Sequence, residues 1–198
     1  MSSIKLPHAS GNSVSIAAPQ ANPASDRTLY LPSNADGTVL TNTTPGCVLQ
    51  VLQAVKTNTG SIGSSTYALI SNLSKEITTT GSNKVLIGFT VTIGSNSGNQ
   101  LDLRIGRVTS GTTSTDVFIG DANSTQKRAT VGGYANSETW QSMSYNSMFL
   151  DSPGAGTHTY GIYWASHSGT QYINRSYDDG SDDRTRQTSQ ITLMEVAV

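Results

Sequence analysis

The sequence predicts an all-β chain, and three observations carry that prediction. Between residues 85 and 93 the apolar positions alternate: Val85, Ile87, Phe89, Val91 and Ile93 share one face, and Gly88, Thr90 and Thr92 join Leu86 on the other. A period of two belongs to a strand with one buried face. Apolar runs of this kind are separated by clusters of Gly, Ser, Asn, Asp and Pro at residues 94–99, 110–112, 151–154 and 166–169. Such clusters are turns. Finally, no stretch holds apolar residues at i, i+3, i+4 and i+7, the spacing of an amphipathic helix. Many short strands joined by turns make a sandwich or a barrel.

Residues 1–46 come first and differ from the rest. They carry short apolar touches set against breakers: Ile4 and Leu6 before Pro7, Val14 and Ile16 before Pro19, Leu29 and Leu31 before Pro32, Val39 and Leu40 before Pro45. Pieces this short cannot build a core, and they gain stability by lying on another surface or on sister chains. Five of the chain's six prolines fall here, where they block sheet pairing at an exposed edge. The pattern therefore predicts an extended, β-rich attachment arm over 1–46 and a globular β domain over 47–198, with the boundary near Gly46.

Within that domain the pattern predicts strands at 47–56, 66–72, 74–79, 85–93, 101–105, 116–120, 141–150, 158–165, 171–175 and 190–198. Cys47, the single cysteine, reads as a small buried hydrophobe. Leu101, Leu103 and Ile105 alternate with Asp102 and Arg104. Two strands break the half-buried rule. In 190–198, Ile191 and Leu193 face one way and Met194, Val196 and Val198 the other. In 158–165, Tyr163 stands opposite Tyr160, Ile162 and Trp164. A strand apolar on both faces must be covered on both. A closed ring of identical chains supplies that cover. Tyr160, Ile162, Tyr163, Trp164, Met194, Val196 and Val198 are thus expected to line the axis of a homo-oligomer. The alternative is a third layer within the chain, supplied by the arm.

Composition narrows the function. The 198 residues are 13% charged and 35% apolar, with a net charge of −1. Disordered chains of low hydrophobicity usually carry high net charge. Nucleic-acid binding needs a clustered basic surface, and Lys127-Arg128 is the longest basic feature. No apolar run approaches the roughly 20 residues that span a membrane, and no signal-peptide core follows Lys5. The expectation is synthesis in a cytoplasm, with neither nucleic acid nor membrane as partner.

The candidate chemistry is sparse. His8, His158 and His167 show no metal-ligand spacing, no Gly-x-Ser-x-Gly elbow is present, and no phosphate loop opens a helix. No catalytic residue, cofactor or enzymatic activity is expected. Asp178, Asp179, Asp182 and Asp183 surround Gly180, and their hard oxygens could hold Ca²⁺, but the spacing is not that of an EF-hand and the expectation is a solvated turn with no metal. Arg184 and Arg186 follow and could pair with it. Tyr134, Trp140, Tyr172 and Tyr177 fall in loops, where aromatic rings either stack on sugars or pack at a rim. Four Asn-x-Ser/Thr sequons, at Asn42, Asn72, Asn123 and Asn174, are expected to stay unmodified.

Several stretches carry a resemblance. These are Ser3-Ile4-Lys5-Leu6, the run 11–16, Leu29-Tyr30-Leu31-Pro32 and Ala35-Asp36-Gly37 in the arm, then Val48-Leu49-Gln50-Val51, the runs 149–153 and 172–176, and 191–196. Together they resemble structural proteins of marine and freshwater bacteriophages, cyanophages included. The resemblance implies a virion, fibre or decoration protein, with a trimeric jelly-roll β-sandwich of the C1q or tumour-necrosis-factor type joined to an attachment arm. On that basis the leading expectation is a capsid decoration (cement or head-fibre) protein on the capsid surface. Its arm would grip the major capsid protein, or another virion protein, through Ile4, Leu6, Val14, Ile16, Leu29 and Leu31. The runner-up is a tail-fibre module that reads a host surface glycan through Tyr134, Trp140 and Tyr177. A third reading, a carbohydrate-active enzyme, would need a carboxylate pair roughly 5–9.5 Å apart. The Asp-rich loop has no counterpart role in the resemblance.

Overall fold

The computed structural model describes residues 3–7, 9–17, 44–96, 100–111, 113–134, 138–180 and 183–198. All regular structure among them is β. The chain divides into two compact units, Met1–Val39 and Leu40–Val198.

In the first unit, β1 (Ser3–Pro7) and β2 (Ser13–Ala17) form an antiparallel hairpin. Its register sets Ile4 opposite Ile16 and Leu6 opposite Val14, so the four apolar touches occupy matched positions of one ladder. Gly11, at φ 103°, supplies the left-handed backbone of the connection. Leu6 and Ile16 are exposed. Two segments expected as separate extended pieces thus pair with each other. Leu29, Leu31 and His8 lie outside the described residues.

The second unit is a sandwich of two antiparallel sheets. The first contains β3 (Val48–Lys56), β4 (Gly60–Ile62), β6 (Lys84–Ser95), β10 (Ser142–Asp151), β12 (Gln171–Ile173) and β13 (Ser189–Val196). One edge of β6 pairs β10 along almost its whole length. The other edge pairs β13 at residues 84–90 and β12 at residues 93–95. β13 pairs onward to β3, and β12 to β4. The second sheet runs β5 (Ala68–Thr79), β11 (Gly156–Ser166), β7 (Gln100–Val108), with β8 (Thr115–Val117) and β9 (Val131–Tyr134) both pairing β7.

The core lies between the sheets. Val85, Ile87, Phe89, Val91 and Ile93 of β6 meet Leu101, Leu103 and Ile105 of β7 there, together with Ile191 and Leu193 of β13. The period-two pattern sorted these side chains correctly. Elsewhere the chain departs from its pattern. The strands expected at 66–72 and 74–79 are one strand, β5, with an irregularity at Asn72 (φ 66°) and a register shift opposite it between Gly161 and Tyr163. Cys47 is half-buried rather than buried.

The largest correction concerns β11. Tyr160, Ile162 and Trp164 are 0%, 0% and 5% exposed, and all three belong to the chain's own core. They cannot line an axis between copies. The reason is that β11 is the middle strand of its sheet, with its aromatic face turned to the first sheet; Tyr163 alone of that group lies half-buried on the other face.

Candidate functional site

The outward face of the first sheet is the candidate site. Because Val85, Ile87 and Leu193 point into the core, their neighbours Leu86 and Met194 point out. The register then builds one rung across four strands: Val51 of β3, Met194 of β13, Leu86 of β6 and Leu150 of β10. Val51 and Leu150 are exposed, and Met194 and Leu86 are half-buried. The next rung is Gln53, Thr192, Gly88 and Met148, and the one after it Val55, Gln190, Thr90 and Asn146. None of these twelve residues is charged. Gly88 leaves a groove of about 420 Å³, walled by Leu86, Met148, Thr192 and Met194. Met148, 65% exposed, hangs over it. Gln53 Nε2 donates to Gln190 Oε1 (2.9 Å) and Thr192 Oγ1 (3.0 Å), so the polar members satisfy one another. Val196 is half-buried beyond this face, and Val198 is exposed at the chain end.

A second feature is built by the Asp-rich loop. Asp179 receives Arg186 through Nε (3.1 Å) and Nη2 (2.6 Å), and Arg175 lies 3.6 Å away. Arg184 donates to Asp178 (3.2 Å) and Asp183 (2.9 Å). The arginines that follow the acidic run therefore pair with Asp178, Asp179 and Asp183, as one of the sequence alternatives had it. Asp182 lies outside the described residues, and among the described residues no three His, Cys, Asp or Glu side chains gather to hold a metal. The loop walls a cleft of about 550 Å³ beside Trp140. Trp140, Tyr134 and Tyr177 are all exposed, while Tyr172 is half-buried beneath the Arg175 guanidinium at 4.0 Å.

Two polar clusters escaped the sequence pattern. His167 Nε2 lies 2.6 Å from Asp102 Oδ2, and the Tyr67 hydroxyl donates to the same oxygen at 3.2 Å. Burial and the Asp102 carboxylate push the Tyr67 phenol up to about 12. At Lys56, Nζ is held by Asn58 Oδ1 (2.8 Å) and Ser71 Oγ (3.2 Å), and burial lowers its affinity for a proton. Partners 35 or more residues apart, as in Tyr67–Asp102 and Asp102–His167, leave no local motif. Asn174, one of the four sequons, is fully buried: its Nδ2 donates to the carbonyls of Lys56 and Asn58 and its Oδ1 accepts from Ser189. Among the described residues no helix is long and apolar enough to cross a membrane.

No protein-family model matches the chain, and no curated protein matches it. A solved structure of infectious bursal disease virus, Gx strain, is similar at a TM-score of 0.31 and 13% identity, over 94% of this chain and 46% of that one. The chain thus spans about half the length of that neighbour.

Proposed function

We propose that this chain is a bacteriophage virion structural protein, a capsid decoration protein that trimerises through the outward face of its first sheet and attaches through its N-terminal arm. It acts through contact area and not as an enzyme. The observation that carries the reading is the uncharged rung Val51–Met194–Leu86–Leu150, which crosses four strands and has no cover within its own sheet pair. Contiguous apolar patches of that kind mark association surfaces. Two further copies of the chain would cover it and leave the loops at the sandwich ends free. In this reading Met194 and Val196 would meet the other copies together with Val51, Leu86, Met148 and Leu150, in place of the β11 aromatics.

Strand order supports a jelly roll. Along the chain the main strands alternate between sheets except at the β7–β8 hairpin: β3, β6, β10 and β13 belong to the first, and β5, β7, β8 and β11 to the second. Both sheets take the crossed orders β3-β13-β6-β10 and β5-β11-β7-β8, the double Greek key of that architecture. The hairpin β1–β2 presents Leu6 and Ile16 as anchors for the capsid surface. Antibody-gold labelling of intact particles tests the assignment. Gold over the head supports decoration. Gold confined to the tail tip overturns it in favour of a receptor-binding fibre, the reading that exposed Trp140 and Tyr177 would then serve.

A further inference from the structure

We infer that the cleft between residues 140–142 and 183–187 is a binding subsite for a neutral pyranose, such as the terminal hexose of a surface glycan. The inference does not depend on where the protein sits in a particle. Its basis is the chemistry of the lining.

Trp140 is 50% exposed at the rim. The Arg184 guanidinium stands over the indole at 6.0 Å from its centre, the outer limit of a cation–π contact, and about half of the Trp140 surface stays open to solvent beside it. A pyranose has one apolar C–H face and a rim of hydroxyls. The indole matches the face. Gln141, Ser142, Thr185 and Gln187 line the cleft beside it; Ser142 and Gln187 bond each other, and the Gln141 amide and Thr185 hydroxyl carry both donors and acceptors for the rim.

Charge selects the class of sugar. Arg184 is engaged by Asp178 and Asp183, and Asp183 is itself largely exposed, at 72% for its side chain. Of the two charged side chains that line the cleft, the Asp183 carboxylate is the more exposed, 72% against 24% for Arg184. A carboxylate accepts hydroxyl hydrogen bonds well and repels acidic sugars. Neutral hexoses fit, and sialic or uronic acids do not.

The walls are set before any ligand arrives. The backbone N–H groups of Tyr177 and Asp178 both donate to the Thr139 carbonyl, at 3.0 and 3.2 Å, which clamps the Trp140 segment to the acidic loop. Gln187 Nε2 bonds Ser142 Oγ at 3.0 Å, tying the two sides of the cleft. Asp179 pairs with Arg186 and Arg175 in the same loop. A fixed site loses little conformational freedom on binding. At about 550 Å³ the cleft has the size of a small-molecule site, and its open mouth lets the rest of a glycan extend away.

The test uses the full chain and a panel of methyl glycosides of glucose, mannose, galactose and N-acetylneuraminic acid, read by saturation-transfer NMR and calorimetry. At least one neutral glycoside should bind saturably, with a dissociation constant on the order of a millimolar. Trp140→Ala should weaken it by about tenfold or more, and Trp140→Phe, which keeps an aromatic face, should recover most of the binding. Circular dichroism checks that both variants fold. The inference is overturned if no neutral glycoside binds the wild type, if Trp140→Ala binds as well as wild type, or if the sialoside binds more tightly than every neutral sugar.

Discussion

The Tyr160 hydroxyl donates to Asp151 Oδ2 at 2.7 Å, and Arg107 Nη1 meets the same oxygen at 2.5 Å. Asp151 ends β10 in one sheet, while Tyr160 and Arg107 stand opposite each other on β11 and β7 in the other. One carboxylate thus pins the sandwich together at its end. Burial pushes the Tyr160 phenol far up, with the Asp151 carboxylate adding to it. For Arg107 burial acts downward, and the Asp151 contact outweighs it.

Removing that carboxylate leaves a buried hydroxyl and a guanidinium unsatisfied. Asp151→Ala should therefore cost about 2–3 kcal/mol of stability, against about 1 kcal/mol for Tyr160→Phe, which deletes one donor and leaves the ion pair. Urea unfolding of both variants and of the double mutant measures the difference. Equal losses in the two single variants would mean that Arg107 finds another partner.

Glu195 gives the chain an acid-sensitive clasp. Its carboxylate accepts from Asn83 Nδ2 (2.8 Å), Thr80 N (3.0 Å) and Gln50 Nε2 (2.7 Å). Burial would raise its pKa, but these donors outweigh burial and hold it below the ordinary 4.5. A depressed carboxyl contributes stability that is present above its unfolded pKa and lost as pH falls through the folded one. Glu195→Gln turns an acceptor into a donor against those groups and should cost about 1–2 kcal/mol at neutral pH. The gap between wild type and variant should narrow as pH drops below 4.5. A gap constant down to about pH 3 would assign the effect to packing instead of charge.

How far the fold was legible in the sequence depended on the length of the strand. β6, β7 and β13 alternate long enough for their buried faces to be read directly. β4 and β9 are three and four residues long and rich in glycine, so no period could form in them. The doubly apolar pattern of β11 was real, but pattern alone cannot say which face meets the partner sheet. That needed the pairing of β11 between β5 and β7. Leu86, Leu150 and Val51 were each visible as isolated apolar residues. Only the register aligns them, because they come from strands separated by tens of residues.

Gly94 and Gly88, six residues apart on β6, should respond oppositely to one added methyl. A Cβ at Gly94 would collide with the Arg175 carbonyl and lie 2.7 Å from Ser176 Cα, all backbone. At Gly88 the nearest atom is Met148 Cε, at 3.6 Å, an ordinary contact with a flexible side chain. Gly94→Ala should cost about 1–3 kcal/mol and loosen the 174–178 segment to hydrogen exchange. Gly88→Ala should be neutral or slightly stabilising, since glycine weakens a strand. A harmless Gly94→Ala would show that the 175–176 backbone yields easily.

The outward rung makes the sharpest prediction. A chain of 20.8 kDa that closes on itself three-fold should scatter light as a particle of three times that mass. Met194 sits at the middle of the rung, paired with Val51 on one side and Leu86 on the other, and alternates with Leu193, which belongs to the core. Met194→Glu places a charge where three copies would meet. Isolated, the chain can turn that carboxylate to water at little cost; in the assembly three carboxylates would be desolvated together. The variant should therefore keep its β-sheet circular dichroism and fall to the mass of one chain. A parallel Val55→Glu, at the edge of the face, should weaken assembly less. If Met194→Glu keeps the wild-type mass, the copies meet elsewhere. If the wild type itself scatters as 20.8 kDa at micromolar concentration, the rung must be covered by a different protein.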